Sequence, residues 1–154
     1  MIHHISIPAN NPRHVAEVLA KIFGGKAVPF PPHPGSYMAV SYDEHGTMIE
    51  VYPLGIELIP GTGEQQVQFQ DNTHPSQFYG IHAAISVPAN QEQIEEIAAS
   101  EEWRALRCNR GNFEVIEFWI ENHLMLEFLT PEMVSQYLDF TQKQNLEQFF
   151  APAA

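Results

Sequence analysis

Hydrophobic and polar positions in the first third of the chain follow the periods of a strand, a helix and further strands. Segment 4–9 alternates polar and apolar residues, as a strand with one buried face does. Asn11 followed by Pro12 is typical of a helix start, and apolar residues then recur at helical spacing. Segments 37–42 and 47–52 are predicted strands on either side of a turn.

The second half of the chain repeats this plan. Segment 82–87 is a predicted strand, and Asn90 is placed to cap a helix. Extended segments at 103–108, 113–120 and 124–129 follow. After Pro131, apolar residues at helical spacing predict a C-terminal helix.

The two halves also share short sequences, which indicates an internal duplication. Ile-Ser-Ile-Pro-Ala-Asn at 5–10 recurs as Ile-Ser-Val-Pro-Ala-Asn at 85–90. Met-Ile-Glu at 48–50 is echoed by Met-Leu-Glu at 125–127. Both echoes occur in the same order and at nearly equal intervals. We therefore predict an α+β fold made of two pseudo-symmetric βαβββ modules.

The predicted elements divide the chain into four parts. The first module spans 1–60, and a polar linker follows at 61–78. The second module spans 79–131, and a C-terminal helix and tail occupy 132–154.

Charge and composition narrow the range of partners. The chain has 7 Lys and Arg against 19 Asp and Glu, a formal net charge of −12. Such an acidic chain repels phosphate backbones and anionic lipids, so we expect neither nucleic acid nor membrane as a partner. Cys108 is the single cysteine, and neither a signal peptide nor a membrane-spanning apolar run is recognisable. These features predict a soluble protein of the reducing cytoplasm.

Four residues with titratable side chains lie at matching places in the two halves. His4 and His82 lie on the first predicted strands, and Glu50 and Glu127 lie on the last. Because strand side chains alternate between faces, each histidine points away from the apolar face that the helix covers. A carboxylate in the middle of a hydrophobic strand is costly unless it is solvated, paired or bound to a cation. Arg104, Arg107 and Arg110 are the alternative partners for these glutamates.

At these residues the chain resembles the vicinal-oxygen-chelate superfamily, which includes glyoxalase I, extradiol dioxygenases and fosfomycin-resistance proteins. The segments His4–Asn11 and His82–Val87 resemble the opening strands of that family. Met-Ile-Glu at 48–50 and Leu-Glu-Phe at 126–128 resemble its closing strands. The resemblance implies a curled mixed sheet around a cavity, with the helices outside, and a homodimer.

The resemblance also implies a metal site and an activity. Its ligands would be His4, Glu50, His82 and Glu127, a set that suits Zn, Ni, Mn, Co or Fe. The implied protein is a lyase or isomerase that acts on a small oxygenated (carbonyl or hydroxy) substrate through a metal-stabilised enediolate, with Glu50 or Glu127 as the general base. Glu57 rivals Glu50, which is favoured because the interval from Glu50 to Glu127 nearly equals that between the histidines.

Two other functions remain open from the sequence. A ring-cleaving dioxygenase would use two histidines and one carboxylate around iron, so the second glutamate argues against it. A metal-free protein of the same fold would bind a hydrophobic or cationic small molecule. The short repeat leaves one further ambiguity, because aligning it at Ile5 and Ile85 pairs His4 with Ala84 rather than with His82.

Overall fold

The alternating segment at the start of the chain forms a strand in the structure, a computed structural model that describes residues 2–150. The chain divides into two units, Met1–Tyr79 and Gly80–Ala154. The predicted tail at 151–154 lies outside the described residues. Within residues 2–150, no helix is both long enough and apolar enough to cross a membrane.

The first unit has the predicted βαβββ order. Its elements are β1 (His4–Ala9), α1 (Pro12–Phe23), β2 (Lys26–Pro29), β3 (Tyr37–Val40) and β4 (Met48–Pro53). The sheet order is β1-β4-β3-β2, and β1 pairs in parallel with β4 while the other pairs are antiparallel. The first and last strands of the unit are therefore neighbours in a mixed sheet.

Helix α1 covers one face of this sheet, where it packs on β2, β3 and β4. It begins after Asn11, whose side chain accepts a hydrogen bond from the backbone N–H of His14, and it ends at Gly24 in the left-handed conformation, with φ 64°. Because α1 covers one face of the sheet, the polar side chains of β1 and β4 lie on the opposite face.

A two-stranded ribbon follows, formed by β5 (Ile56–Ile59) and β6 (Gln68–Asp71) in antiparallel pairing. The sequence pattern did not predict it, and β6 falls in the segment predicted as a linker. The physical reason is that the side chains of β6 are exposed except for half-buried Phe69, so the segment lacks the apolar alternation of a core strand.

The second unit repeats the order, which confirms the α+β fold with two βαβββ motifs. Its elements are β7 (Ala84–Ser86), α2 (Gln91–Ser100), β8 (Arg104–Asn109), β9 (Glu114–Ile120) and β10 (Leu124–Leu129), followed by α3 (Pro131–Phe140) and α4 (Lys143–Phe149). The sheet order is β7-β10-β9-β8, with β7 parallel to β10. The prediction of a strand over 82–87 was too long, and His82 lies outside β7.

The core of the second unit is formed by β9 and β10 together with the helices. Phe118 on β9 is fully buried, and its ring contacts those of Trp103 and Phe128 at centroid distances of 5.8 and 5.2 Å. Alternate residues of β9, from Ile116 to Ile120, point to this core as their pattern predicts.

Truncation of Phe118 tests this description of the core. We expect Phe118→Ala to lower the free energy of unfolding by about 3–5 kcal/mol, since it removes a fully buried aromatic ring. Urea unfolding followed by the fluorescence of Trp103 and Trp119, both in the second unit, measures the change. Phe150→Ala is the matched control, because Phe150 is 73% exposed. Equal losses in the two variants would contradict the assignment of the core.

Candidate functional site

Glu50 is the centre of a hydrogen-bonded group on the polar face of the first unit. Its Cα lies opposite Ser6 in the register of β4 with β1. The Ser6 hydroxyl donates to Glu50 Oε2 over 2.8 Å, and the Tyr52 hydroxyl donates to the same oxygen over 3.2 Å. The Glu50 side chain is only 12% exposed. Two hydroxyl donors therefore orient a largely buried carboxylate.

His4 approaches the other oxygen of this carboxylate. Its Nε2 lies 3.8 Å from Glu50 Oε1, and its side chain is 54% exposed. This distance is longer than a hydrogen bond. His4, Ser6 and Glu50 thus share the face that the alternation in β1 and β4 assigned to them, and His4 stands at its solvent-exposed edge.

Tyr52 connects Glu50 to a group of rings that we call the aromatic cluster, which consists of Phe30, His33, Tyr52 and Phe69. The ring of Tyr52 lies 5.6 Å from that of Phe30 and 5.7 Å from those of His33 and Phe69. The His33 Nδ1 is also 3.1 Å from the hydroxyl of buried Ser36. The sequence does not predict that His33 and Phe69 lie near Glu50. His33 is in a loop, and Phe69 is in the ribbon that the sequence pattern does not reveal.

In the second unit, Glu127 is paired with an arginine. Nε and Nη2 of Arg110 both donate to Glu127 Oε1, over 3.0 and 2.6 Å, and Nη2 also donates to Glu117 Oε1 over 2.7 Å. Glu117 and Glu127 lie directly opposite each other in β9 and β10, where two like charges destabilise a sheet. Arg110 offsets this repulsion, and its hydrogen bond lowers the pKa of Glu117.

Arg110 is one of the three arginines that the sequence offers as alternative partners of the glutamates. The signal that distinguishes it is the strand register, because Glu117 and Glu127 face the same side of the sheet and the hairpin that carries Arg110 reaches both. Of the other two, Arg107 pairs instead with Glu114.

The register also decides which histidines correspond. Ser6 lies opposite Glu50, and Ala84 lies opposite Glu127. In each unit, the residue opposite the glutamate of the last strand comes two positions after the histidine. By strand register, His4 therefore corresponds to His82, although the alignment of the short repeat pairs His4 with Ala84. His82 itself is exposed and precedes β7.

Glu57, the rival of Glu50, belongs to the two-stranded ribbon. It is exposed on β5, and its Oε1 accepts a hydrogen bond of 2.7 Å from the Asn72 amide. It is separate from the group around Ser6 and Tyr52, and Glu50 is the carboxylate that contacts a histidine of the predicted set.

The predicted metal ligands differ in how well they fit a divalent ion. His4 and Glu50 offer a nitrogen and an oxygen close together, which suits a transition metal. Glu127 does not fit in this arrangement, because the same oxygen accepts two hydrogen bonds from a guanidinium whose charge repels a cation. Within the part of the chain that the structure describes, no three His, Cys, Asp or Glu side chains group closely enough to hold a metal ion.

The environment of Tyr52 gives a titration that can be measured. Burial, together with the charge of Glu50, raises the pKa of Tyr52 to about 12. Because the fold favours the neutral phenol, its contribution to stability is present below pH 10 and is lost as the pH rises towards 12. We expect ultraviolet titration to show a late-ionising tyrosine that is missing in Tyr52→Phe. Tyr42→Phe is the control, since Tyr42 is 68% exposed; an unchanged late phase in Tyr52→Phe would contradict the prediction.

Removing Arg110 exposes the repulsion between the two opposed glutamates. We expect Arg110→Ala to lower the free energy of unfolding by roughly 2–4 kcal/mol at pH 7, because one charge of a partly buried network is lost. The loss should shrink progressively as the pH falls from 4.5, the ordinary pKa of a glutamate, through the lowered pKa of Glu117. Urea unfolding at pH 7 and at a pH below 4.5 measures the loss of free energy of unfolding. Arg104→Ala, at the start of the strand β8 that Arg110 follows, serves as the control, and equal effects would show that the network contributes nothing.

Comparisons with known proteins place the fold. No family model matches the sequence, and no curated protein matches it. Among solved structures, a glyoxylase/bleomycin resistance protein/dioxygenase domain from Frankia sp. EAN1pec matches with a TM-score of 0.52 and 12% identity, covering 83% of this chain and 94% of that one. A glyoxalase family protein from Bacillus anthracis matches with a TM-score of 0.51 and 13% identity, covering 83% and 92%.

A third solved structure, named lactoylglutathione lyase and from Agrobacterium tumefaciens, has a TM-score of 0.51 and 10% identity, with coverage of 86% of this chain and 94% of that one. At such identities the similarity is one of fold and leaves the subfamily undetermined. The chain therefore has the fold of the glyoxalase, bleomycin resistance and dioxygenase proteins, as the resemblance in its sequence indicated.

Proposed function

We propose that this protein binds a small molecule on the Glu50 face of its first unit and does so without a divalent metal. The observation that carries the proposal is the state of Glu50. It is a largely buried carboxylate whose contacts within residues 2–150 are two hydroxyl groups and one distant imidazole, with no Lys or Arg among them. Burying a carboxylate without a cationic partner costs free energy. A ligand that brings a positive charge to Glu50 therefore offsets that cost when it binds.

The other glutamates of the sheets support the same interpretation by contrast. Glu114 pairs with Arg107, while Glu117 and Glu127 share Arg110. Their charges are balanced within the protein, so they gain little from a ligand. Among the glutamates of the two four-stranded sheets, Glu50 alone has no arginine among its described contacts, and half-buried rings lie beside it.

The pairing of Glu127 with Arg110 supports binding without a metal. A guanidinium already supplies the positive charge that a divalent ion would bring to that carboxylate. The sequence left open that an arginine, rather than a metal ion, pairs with the glutamates. The contacts of Glu127 favour the arginine.

A metal-dependent lyase or isomerase acting on a small oxygenated substrate is the second candidate. The approach of His4 to Glu50 favours it, and the similarity in fold to a lactoylglutathione lyase is compatible with it. This function requires Arg110 to release Glu127, so it predicts a rearrangement of the second unit on metal binding. The homodimer and the cytoplasmic location that the sequence analysis inferred remain predictions.

Metal analysis distinguishes the two candidates. We expect protein purified without a chelating tag to contain far less than one divalent ion per chain, because Arg110 occupies Glu127. About one ion per chain, lost in the His4→Ala plus Glu127→Ala double variant but retained in His45→Ala plus Glu57→Ala, would overturn the proposal in favour of the lyase.

Saturation-transfer NMR with small aromatic amines, alcohols and acids, before and after chelator treatment, measures binding. Binding that disappears on chelation would also contradict the proposal.

A further inference from the structure

We propose that the ligand of this face is a small organic cation, with its charged group against Glu50 and its apolar body against the aromatic cluster. This inference rests on the proposed function and adds the chemical class of the ligand. It follows from two features of the first unit, the Oε1 oxygen of Glu50 and the rings beside it, and from the net charge of the whole chain.

The two oxygens of Glu50 differ in their contacts. Oε2 accepts hydrogen bonds from the hydroxyls of Ser6 and Tyr52. Oε1 accepts none from the described side chains, and the His4 Nε2 lies 3.8 Å from it. The hydroxyl donors fix the carboxylate in place, so Oε1 is oriented to accept a hydrogen bond from an incoming N–H group. A charged donor suits it best, since hydrogen bonds between ionised partners are the strongest in proteins.

The rings supply the second part of the site. Tyr52 is buried at the centre of the aromatic cluster, and its hydroxyl reaches Glu50. Phe30, His33 and Phe69 surround it and are each half-buried, so these three residues are partly open to solvent. Ring faces carry partial negative charge and attract cations, and their apolar area covers a hydrocarbon body.

The charge of the whole chain agrees with this class of ligand. The formal net charge is −12, so the protein attracts cations and repels anions at a distance. At close range, a carboxylate ligand would meet the charge of Glu50 directly, and a neutral ligand would leave that charge uncompensated. An alkylammonium or arylalkylammonium group satisfies both the carboxylate and the rings.

Three probes of nearly the same shape test the inference with the full chain. 2-Phenylethylammonium, 2-phenylethanol and phenylacetate differ in charge at pH 7.5, and ¹⁵N-labelled protein reports binding and location by NMR. We expect the ammonium to bind about tenfold more tightly than the alcohol, the gain of one charged hydrogen bond, and phenylacetate to bind most weakly. The comparison needs no variant, so it does not depend on a mutant protein folding.

Variants then assign the preference to the residues. Glu50→Gln should reduce the affinity for the ammonium about tenfold and leave the alcohol within about threefold, because the amide keeps the shape but not the charge. Glu57→Gln, which removes a carboxylate from the exposed ribbon of the same unit, should change neither. Phe69→Leu should weaken both probes together, since it removes ring area and no charge.

The outcomes separate the two proposals. If none of the three probes binds, the proposed function itself fails. If the alcohol or the acid binds as tightly as the ammonium, or if Glu50→Gln leaves the preference intact, small-molecule binding stands and the cation inference is overturned. Binding of the ammonium that shifts resonances only outside residues 4–9, 30–36, 48–53 and 68–71 would also overturn it.

Discussion

The parallel pairing of the first strand with the last strand of each unit is the constraint on which the rest of the structure depends. Strands β1 and β4 are distant in sequence, and helix α1 with two further strands must be formed between them. The helix covers one face of the sheet and removes it from solvent. Polar residues of both strands are left on the opposite face, where the register of the pairing decides which of them meet.

That register brings a glutamate into the same place in both units, and the protein balances the two charges differently. Glu127 is compensated within the chain by Arg110, which also pairs with the opposed Glu117. Glu50 is oriented by neutral hydroxyls, with no Lys or Arg among its described contacts. The duplicated motif thus has one polar face whose glutamates are balanced by an arginine and one, the face of the proposed ligand, whose glutamate is not, an asymmetry that the similar sequences of the closing strands conceal.

The similarity to solved structures shows how little of the sequence the fold requires. Proteins with the glyoxalase fold share 10–13% identity with this chain over more than four fifths of its length. What they have in common with it is the fold, which sufficient apolar residues of suitable size can maintain. The chemistry of the polar face is not under the same constraint, so fold alone does not assign an activity.

The sequence by itself determined the βαβββ plan of the two units, the duplication and the parity of His4, Ser6 and Glu50, because periods of 2 and 3.6 residues express local geometry. It also determined the helix starts at Asn11 and Asn90, where side chains cap the backbone. Only the tertiary structure decided that Arg110 holds Glu127 and that His33 and Phe69 pack on Tyr52. These contacts join residues that are distant in sequence or lie in loops and exposed strands, so no local pattern encodes them, and a charged pair forms only where the strand register brings its partners together.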